Sequence, residues 1–151
     1  MGRNLQILII DDNPIDVIVL KKAFFNIHAD CSFTEFEDAE KALSYLQKVK
    51  DEKEVRLPDI IISDLMLPNM SGNELLATLK DDDGLRAIPF VMFSSSSSET
   101  DVKMAYSYNV NSYIVKPANL EIYKETILSF WNFWSNAVRL PDNQSPAKKM
   151  I

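Results

Sequence analysis

Glycine and cysteine are scarce in this sequence, and long apolar runs are missing. Three glycines and seven prolines in 151 residues exclude a low-complexity or collagen-like chain. A single cysteine, Cys31, excludes an internal disulfide and points to a reduced, cytoplasmic setting. No window approaches the length of a transmembrane span, and the N-terminus shows one arginine and no signal-like apolar segment. A positive excess is missing as well. Sixteen Lys and Arg stand against 22 Asp and Glu, a net charge of -6, which argues against nucleic acid or an anionic membrane as a main partner. What remains is 46% hydrophobic and 25% charged, enough to bury a core. One domain is expected over residues 1–138, with no further output domain. The tail over 139–151, including "LPDNQSPAKKMI", lacks periodicity and is expected to be flexible.

Short apolar runs alternate with helical patterns. Gln6–Ile10 is aliphatic after its first residue, as in a strand buried on both faces. Asn13 and Pro14 then read as the cap and first position of a helix reaching His28, with a core row of Leu20, Ala23, Phe24 and Ile27. Cys31–Asp38 alternates more and suits an edge strand, and Asp38 caps a helix to Lys48. A second apolar strand runs into Asp64. Ser71 and Glu74 form a capping box for a helix ending near Lys80. Phe90–Phe93, a helix over Glu99–Tyr108, Ser112–Val115 and an Asn119-capped helix to Val138 complete the pattern. Five strands alternating with five helices predict an α/β fold with a parallel sheet covered on both faces. Such sheets bind ligands at the carboxyl ends of their strands.

The residues at those ends are polar. The first strand ends in Asp11 and Asp12, the next central one in Asp64, the following one in Ser94, and the last in Lys116. Three carboxylates at one rim repel. One like-charge pair at about 4 Å costs about 1 kcal/mol in water and about 4 kcal/mol at an effective dielectric near 20. Lys116 supplies one neutralising charge. An all-oxygen site also suits magnesium, which commonly combines one or two carboxylates with waters and phosphate oxygens. A carboxylate beside such a cation and an ammonium is placed to accept a phosphoryl group.

These stretches, "ILIIDDNP", "IISDLMLPNMSG", "IPFVMFSSSSSE" and "NSYIVKP", resemble in order the motifs of the response-regulator receiver domain of two-component signalling. The likeness spans Leu5 to Val138. It implies a five-stranded parallel sheet in the order 2-1-3-4-5, the flavodoxin-like receiver fold. It further implies a phosphoacceptor at Asp64 and a magnesium (or manganese) ion held by Asp12, Asp64 and the backbone carbonyl of Met66, with Asp11 acting through water. Lys116 would pair with Asp64 and then with the phosphoryl group, and Ser94 would hydrogen-bond a phosphoryl oxygen. Tyr113 matches the aromatic that moves between outward and inward rotamers, and the surface of the last two helices and the last strand would respond. Serine at position 94, where threonine is commoner, is the more mobile at its first torsion.

The implied partner is a histidine kinase, docked on the first helix near Pro14, Val17, Ile18 and Lys21. The aromatic ending "ILSFWNFWSNAVRLP" resembles stand-alone receivers that serve phytochrome-type kinases, often as homodimers. Tyr123, Ile127, Phe130 and Trp134 make one stripe facing the sheet, whereas Trp131 and Phe133 are expected on the outer, dimerising side. Simpler readings sit beside these. Each aspartate taken singly is a cap or turn residue, Ser96–Ser98 is a loop, and Tyr113 and Val17 are packing residues. His28 is a helix end with nothing resembling a phosphodonor helix around it. Two rival functions stand beside this one: a magnesium-dependent phosphatase with an aspartyl intermediate, and a phosphorylation-independent interaction module on the same fold. Met66 occupies the position where such phosphatases place a second aspartate, and it cannot act as a general acid.

Overall fold

The computed structural model describes residues 4–52 and 54–142. Strands β1 (Leu5–Ile10), β2 (Cys31–Phe36), β3 (Ile60–Ser63), β4 (Phe90–Ser94) and β5 (Ser112–Val115) alternate with helices α1 (Pro14–Asn26), α2 (Ala39–Lys50), α3 (Gly72–Lys80), α4 (Glu99–Ser107) and α5 (Leu120–Asn132). All four strand pairings are parallel, and the sheet order is β2-β1-β3-β4-β5. This is the order expected of the receiver fold. The reversal between β1 and β3 opens a crevice at the carboxyl rim.

Burial explains the strand patterns. In β1, β3 and β4 nearly every residue is buried, because helices cover both faces of the sheet. Successive residues still point to opposite faces. Leu8, Ile10, Ile61 and Met92 pack with Leu46, Leu75 and Leu76 under α2 and α3. Ile7, Ile9, Ile62, Val91 and Phe93 pack with Phe24, Ile127 and Phe130 under α1 and α5. Each helix begins at a side-chain cap. Asn13, Asp38, Ser71 and Asn119 act as the sequence predicts, and Ser98 caps α4 by accepting from the Asp101 N–H.

Several boundaries differ from expectation. α1 stops at Asn26 because His28 takes a left-handed conformation (φ 55°) and donates its N–H to the Phe25 carbonyl. β2 ends at Phe36, where its partner β1 ends. α5 closes at Asn132 and continues as a π-helical turn over Phe133–Ala137, in which the Ser135 hydroxyl donates to the Trp131 carbonyl at 2.6 Å. Of the segment expected to be a flexible tail, Leu140 is half-buried against the α1–α5 side of the core, and residues 143–151 lie outside the described residues.

The expected outward pair Trp131 and Phe133 separates. Trp131 is half-buried and meets Phe24 edge-on, with ring centroids 6.2 Å apart. It follows Ile127 by four residues, so it lies on the same helix face, and its indole reaches the core past Phe130. Phe133 alone stays outside, 51% exposed.

The loop after β3 needs Gly72. A Cβ there would lie 2.4 Å from the Asp64 carbonyl oxygen and 2.9 Å from Met92 Sδ. Gly72→Ala should therefore lower unfolding free energy by about 1–3 kcal/mol through overpacking, measurable by urea denaturation. Trp131→Ser should lower it by about 2–4 kcal/mol, while Phe133→Ser should change it by under about 0.5 kcal/mol. Equal effects from the two aromatics would contradict their assignment to core and surface.

Candidate functional site

The carboxyl rim is built from strand ends. Asp11 follows β1 and is buried, with its N–H bonded to the Phe36 carbonyl at 3.1 Å. Its Oδ1 accepts the Asn13 N–H at 2.9 Å, so it shapes the turn into α1 while Oδ2 stays free to face inward. Asp64 follows β3, with its N–H bonded to the Ile10 carbonyl at 2.8 Å. Ser94 ends β4, almost fully buried, and its carbonyl accepts the Lys116 N–H at 2.7 Å. That backbone bond brings Lys116, just past β5, into the same rim.

The Lys116 ammonium organises the rim. It donates to Asp11 Oδ2 at 2.8 Å, Asp16 Oδ2 at 3.0 Å and Asp64 Oδ2 at 3.2 Å. An ammonium has three protons, so its capacity is filled. It also lies 5.8 Å from the Phe93 ring centroid, over the face of that ring. Burial opposes its charge. The hydrogen bonds to Asp11 and Asp16 and the field of Asp64 outweigh burial and hold its pKa above the ordinary lysine value. Asp11 shows the opposite balance. Burial raises its pKa more than Lys116 and the Asn13 N–H lower it, and the charge of Asp64 adds to the rise. Three carboxylates against one ammonium leave surplus negative charge.

Asp16 is the residue that sequence reasoning missed. It lies in the first turn of α1, where an acidic residue already has an explanation in the helix dipole. Its carboxylate oxygen lies with those of Asp11 and Asp64 in a group all within 4.8 Å of one another. Asp12 is not in that group. It is exposed at the lip of a groove of about 760 Å³ that also borders Pro14, Val17, Ile18, Lys21 and Lys41. Of the four α1 residues expected to dock a partner, Ile18 is exposed, as is Pro14. Val17 is buried in the core instead, because it shares a helix face with Leu20 and Phe24. Lys21 is paired with Glu35 at 2.6 Å. Met66 is 71% exposed, and its N–H points at Asp64 Oδ1 from 3.4 Å.

Ser94 and Tyr113 face the β4–α4 loop. Ser94 Oγ accepts the Ser96 N–H at 3.1 Å, and the half-buried Tyr113 donates its hydroxyl to the Ser96 carbonyl at 2.8 Å. Cys31 lies away from the rim beside Asp30. Burial, with that neighbouring charge, pushes its thiol up to about 11, so it is no thiolate at neutral pH.

The model of the response regulator receiver domain matches residues 7–127. The chain belongs to this family. The probable methanogenesis regulatory protein FilR2 of Methanothrix harundinacea is 33% identical over 135 residues, covering 89% of this chain and 86% of that protein. Response regulator Rcp1 of Synechocystis is 30% identical over 135 residues, 89% of this chain and 92% of Rcp1. The crystal structure of Rcp1 in its Mn(2+)-bound form superposes with a TM-score of 0.80 at 29% identity, covering 91% of this chain and 99% of that one. The structure of the phosphorylated cyanobacterial phytochrome response regulator RcpA gives a TM-score of 0.83 at 31% identity, covering 93% and 100%. The receiver fold therefore extends over nearly all of the described residues, and the phytochrome connection belongs to RcpA.

Lys116→Met would leave three carboxylates facing one another without the ammonium. We expect a loss of about 2 kcal/mol at pH 7, since removing one partner of a buried pair strands the others. The gap should narrow towards pH 5. A carboxyl whose folded pKa lies above its unfolded value takes up protons on folding, so falling pH favours the folded state. Urea unfolding at both pH values checks this, and a gap that stays constant would show that carboxylate repulsion is not its cause.

Proposed function

We propose that the chain accepts a phosphoryl group from a phosphohistidine of a histidine kinase onto a carboxylate oxygen of Asp64. The P–N bond breaks, a P–O bond to Asp64 forms, and the imidazole nitrogen leaves with the electron pair. The observation that carries this reading is the Lys116 ammonium 3.2 Å from Asp64 Oδ2 within an acidic rim. Lys116 would follow the transferred group, donating to its oxygens as charge shifts from the carboxylate to the phosphoryl. Ser94 would donate its hydroxyl to a phosphoryl oxygen. The chain would promote only its own phosphorylation and dephosphorylation.

The donor set fits a hard divalent cation, because every candidate ligand offers oxygen and the rim carries surplus negative charge. Asp64 and the Met66 carbonyl would hold magnesium or manganese, with Asp11 contacting it through water, and Asp12 would join them from outside the Asp11–Asp16–Asp64 group. When bound, the ion offsets charge on the phosphoryl oxygens. The Mn(2+)-bound form of Rcp1 supports this choice of metal by similarity.

Tyr113 would report the state of Asp64 to the surface of α4, β5 and α5, where a partner or a second copy of the chain binds. Phe133 is an exposed aromatic next to that surface, as is Tyr106 on α4. The kinase would dock on α1, where Ile15 is 68% and Ile18 63% exposed, close to Asp12 and Pro14. The likeness to RcpA favours a phytochrome-type kinase in a cytoplasmic setting.

Acetyl phosphate with magnesium should add one phosphoryl mass to the intact protein. The gain should vanish in Asp64→Asn and on chelation, and should slow by about tenfold or more in Lys116→Ala, as expected for the loss of one charge-stabilising donor. A wild-type chain that gains no mass from either acetyl phosphate or kinase would be an interaction module independent of phosphorylation. Turnover of a small phosphate ester, lost in Asp64→Asn, would make it a phosphatase instead.

A further inference from the structure

The serine run after β4 is an ordered junction. Ser96 is half-buried, and all three of its polar groups are engaged. Its N–H donates to Ser94 Oγ at 3.1 Å, and its carbonyl accepts the Tyr113 hydroxyl at 2.8 Å. Its hydroxyl donates to Asp101 Oδ2 of α4 at 2.5 Å and accepts the Ser98 N–H at 3.3 Å. Tyr113 is gripped a second time. Its own N–H donates to the hydroxyl of Tyr106, also on α4, at 3.2 Å. Ordinary helix capping accounts for Ser98, which accepts the Asp101 N–H at 3.4 Å. It does not account for the Ser96 side chain reaching Asp101, or for Tyr113 bonding to Ser96.

We infer that Ser96 is a positioning residue that joins Ser94 to Tyr113 and, anchored by Asp101, holds the tyrosine inward before any phosphoryl group arrives. This rests on the reading of Ser94 and Tyr113 as the responsive pair of the site. The geometry gives the reason. Asp101 pins the Ser96 side chain, so a shift of Ser94 Oγ acts through the Ser96 N–H and turns the adjoining peptide that carries the tyrosine's acceptor. A hydroxyl has two acceptor lone pairs and one proton, so Ser94 can keep the Ser96 N–H while donating to a phosphoryl oxygen. The α4–β5–α5 surface is then already biased to its tyrosine-in form, and phosphorylation strengthens that bias.

The test is fluorine NMR on the full chain labelled with 3-fluorotyrosine, with the Tyr113 signal assigned from Tyr113→Phe and its solvent exposure read from a soluble paramagnet. In the unphosphorylated wild type Tyr113 should be protected. Ser96→Ala should raise its paramagnetic relaxation by about twofold or more as the inward population falls. Asp101→Ala should do the same, while Asp101→Asn, which keeps an acceptor oxygen, should stay near wild type. An exposed Tyr113 in the wild type, or one unchanged in both alanine variants, overturns the inference. If Ser96→Ala does not fold, Asp101→Ala against Asp101→Asn decides it. Phosphoryl uptake is measured separately by intact mass. Its absence in the wild type would remove the phosphoacceptor reading, while the fluorine signal would still decide whether Ser96 holds Tyr113.

Discussion

The contact between the Lys116 ammonium and three carboxylates governs the arrangement of the carboxyl rim. It draws together the ends of β1 and β3, the first turn of α1 and the residue after β5. Without a cation at its centre, this rim would be a set of like charges held at short range by the backbone. With one, the same charges become a stored preference for further positive charge. Buried ion pairs of this kind contribute little net stability against an apolar alternative. Their presence here is better explained by what the rim can bind.

The rest of the fold serves that contact. Apolar β1, β3 and β4 pair in register so that Asp11 and Asp64 end their strands at one level and Ser94 follows one residue beyond. Gly72 lets the α3 start press against the Asp64 carbonyl, and the Ser94 carbonyl fixes the Lys116 backbone. The two apolar layers differ in role. The α1–α5 side is rich in interlocked aromatics, with Phe24 touching Phe33, Phe130 and Trp131. The opposite side has the ring pair Phe36–Tyr45 and borders the β4–α4 loop, where Tyr113 makes a polar contact to the Ser96 carbonyl.

Much of this was legible from residue patterns. Strand identity, four of the five helix caps, and the placement of Asp11, Asp64, Ser94 and Lys116 at one rim all follow from strong local signals, whereas the strand order came from the family resemblance. Those signals are runs of aliphatic residues ended by polar ones, and capping residues before periodic segments. Asp16 was hidden because a helix N-terminus already accounts for an acidic residue. Val17 and Trp131 were misassigned because helical spacing near the edge of a stripe leaves the direction of a large side chain open. The π-helical turn has no compositional mark, and Ser96 sat inside a run of identical residues.

The sequence by itself determined which chemical groups reach the rim and in what order along the chain, because alternation and capping act within a few residues. Only the tertiary structure decided how those groups are partnered. Lys116 divides its three protons among Asp11, Asp16 and Asp64, residues 52 to 105 positions away. Tyr113 bonds to a carbonyl 17 positions away. Such choices depend on the crossing of helices and the twist of the sheet, which bring distant polar atoms within reach and which no local pattern encodes.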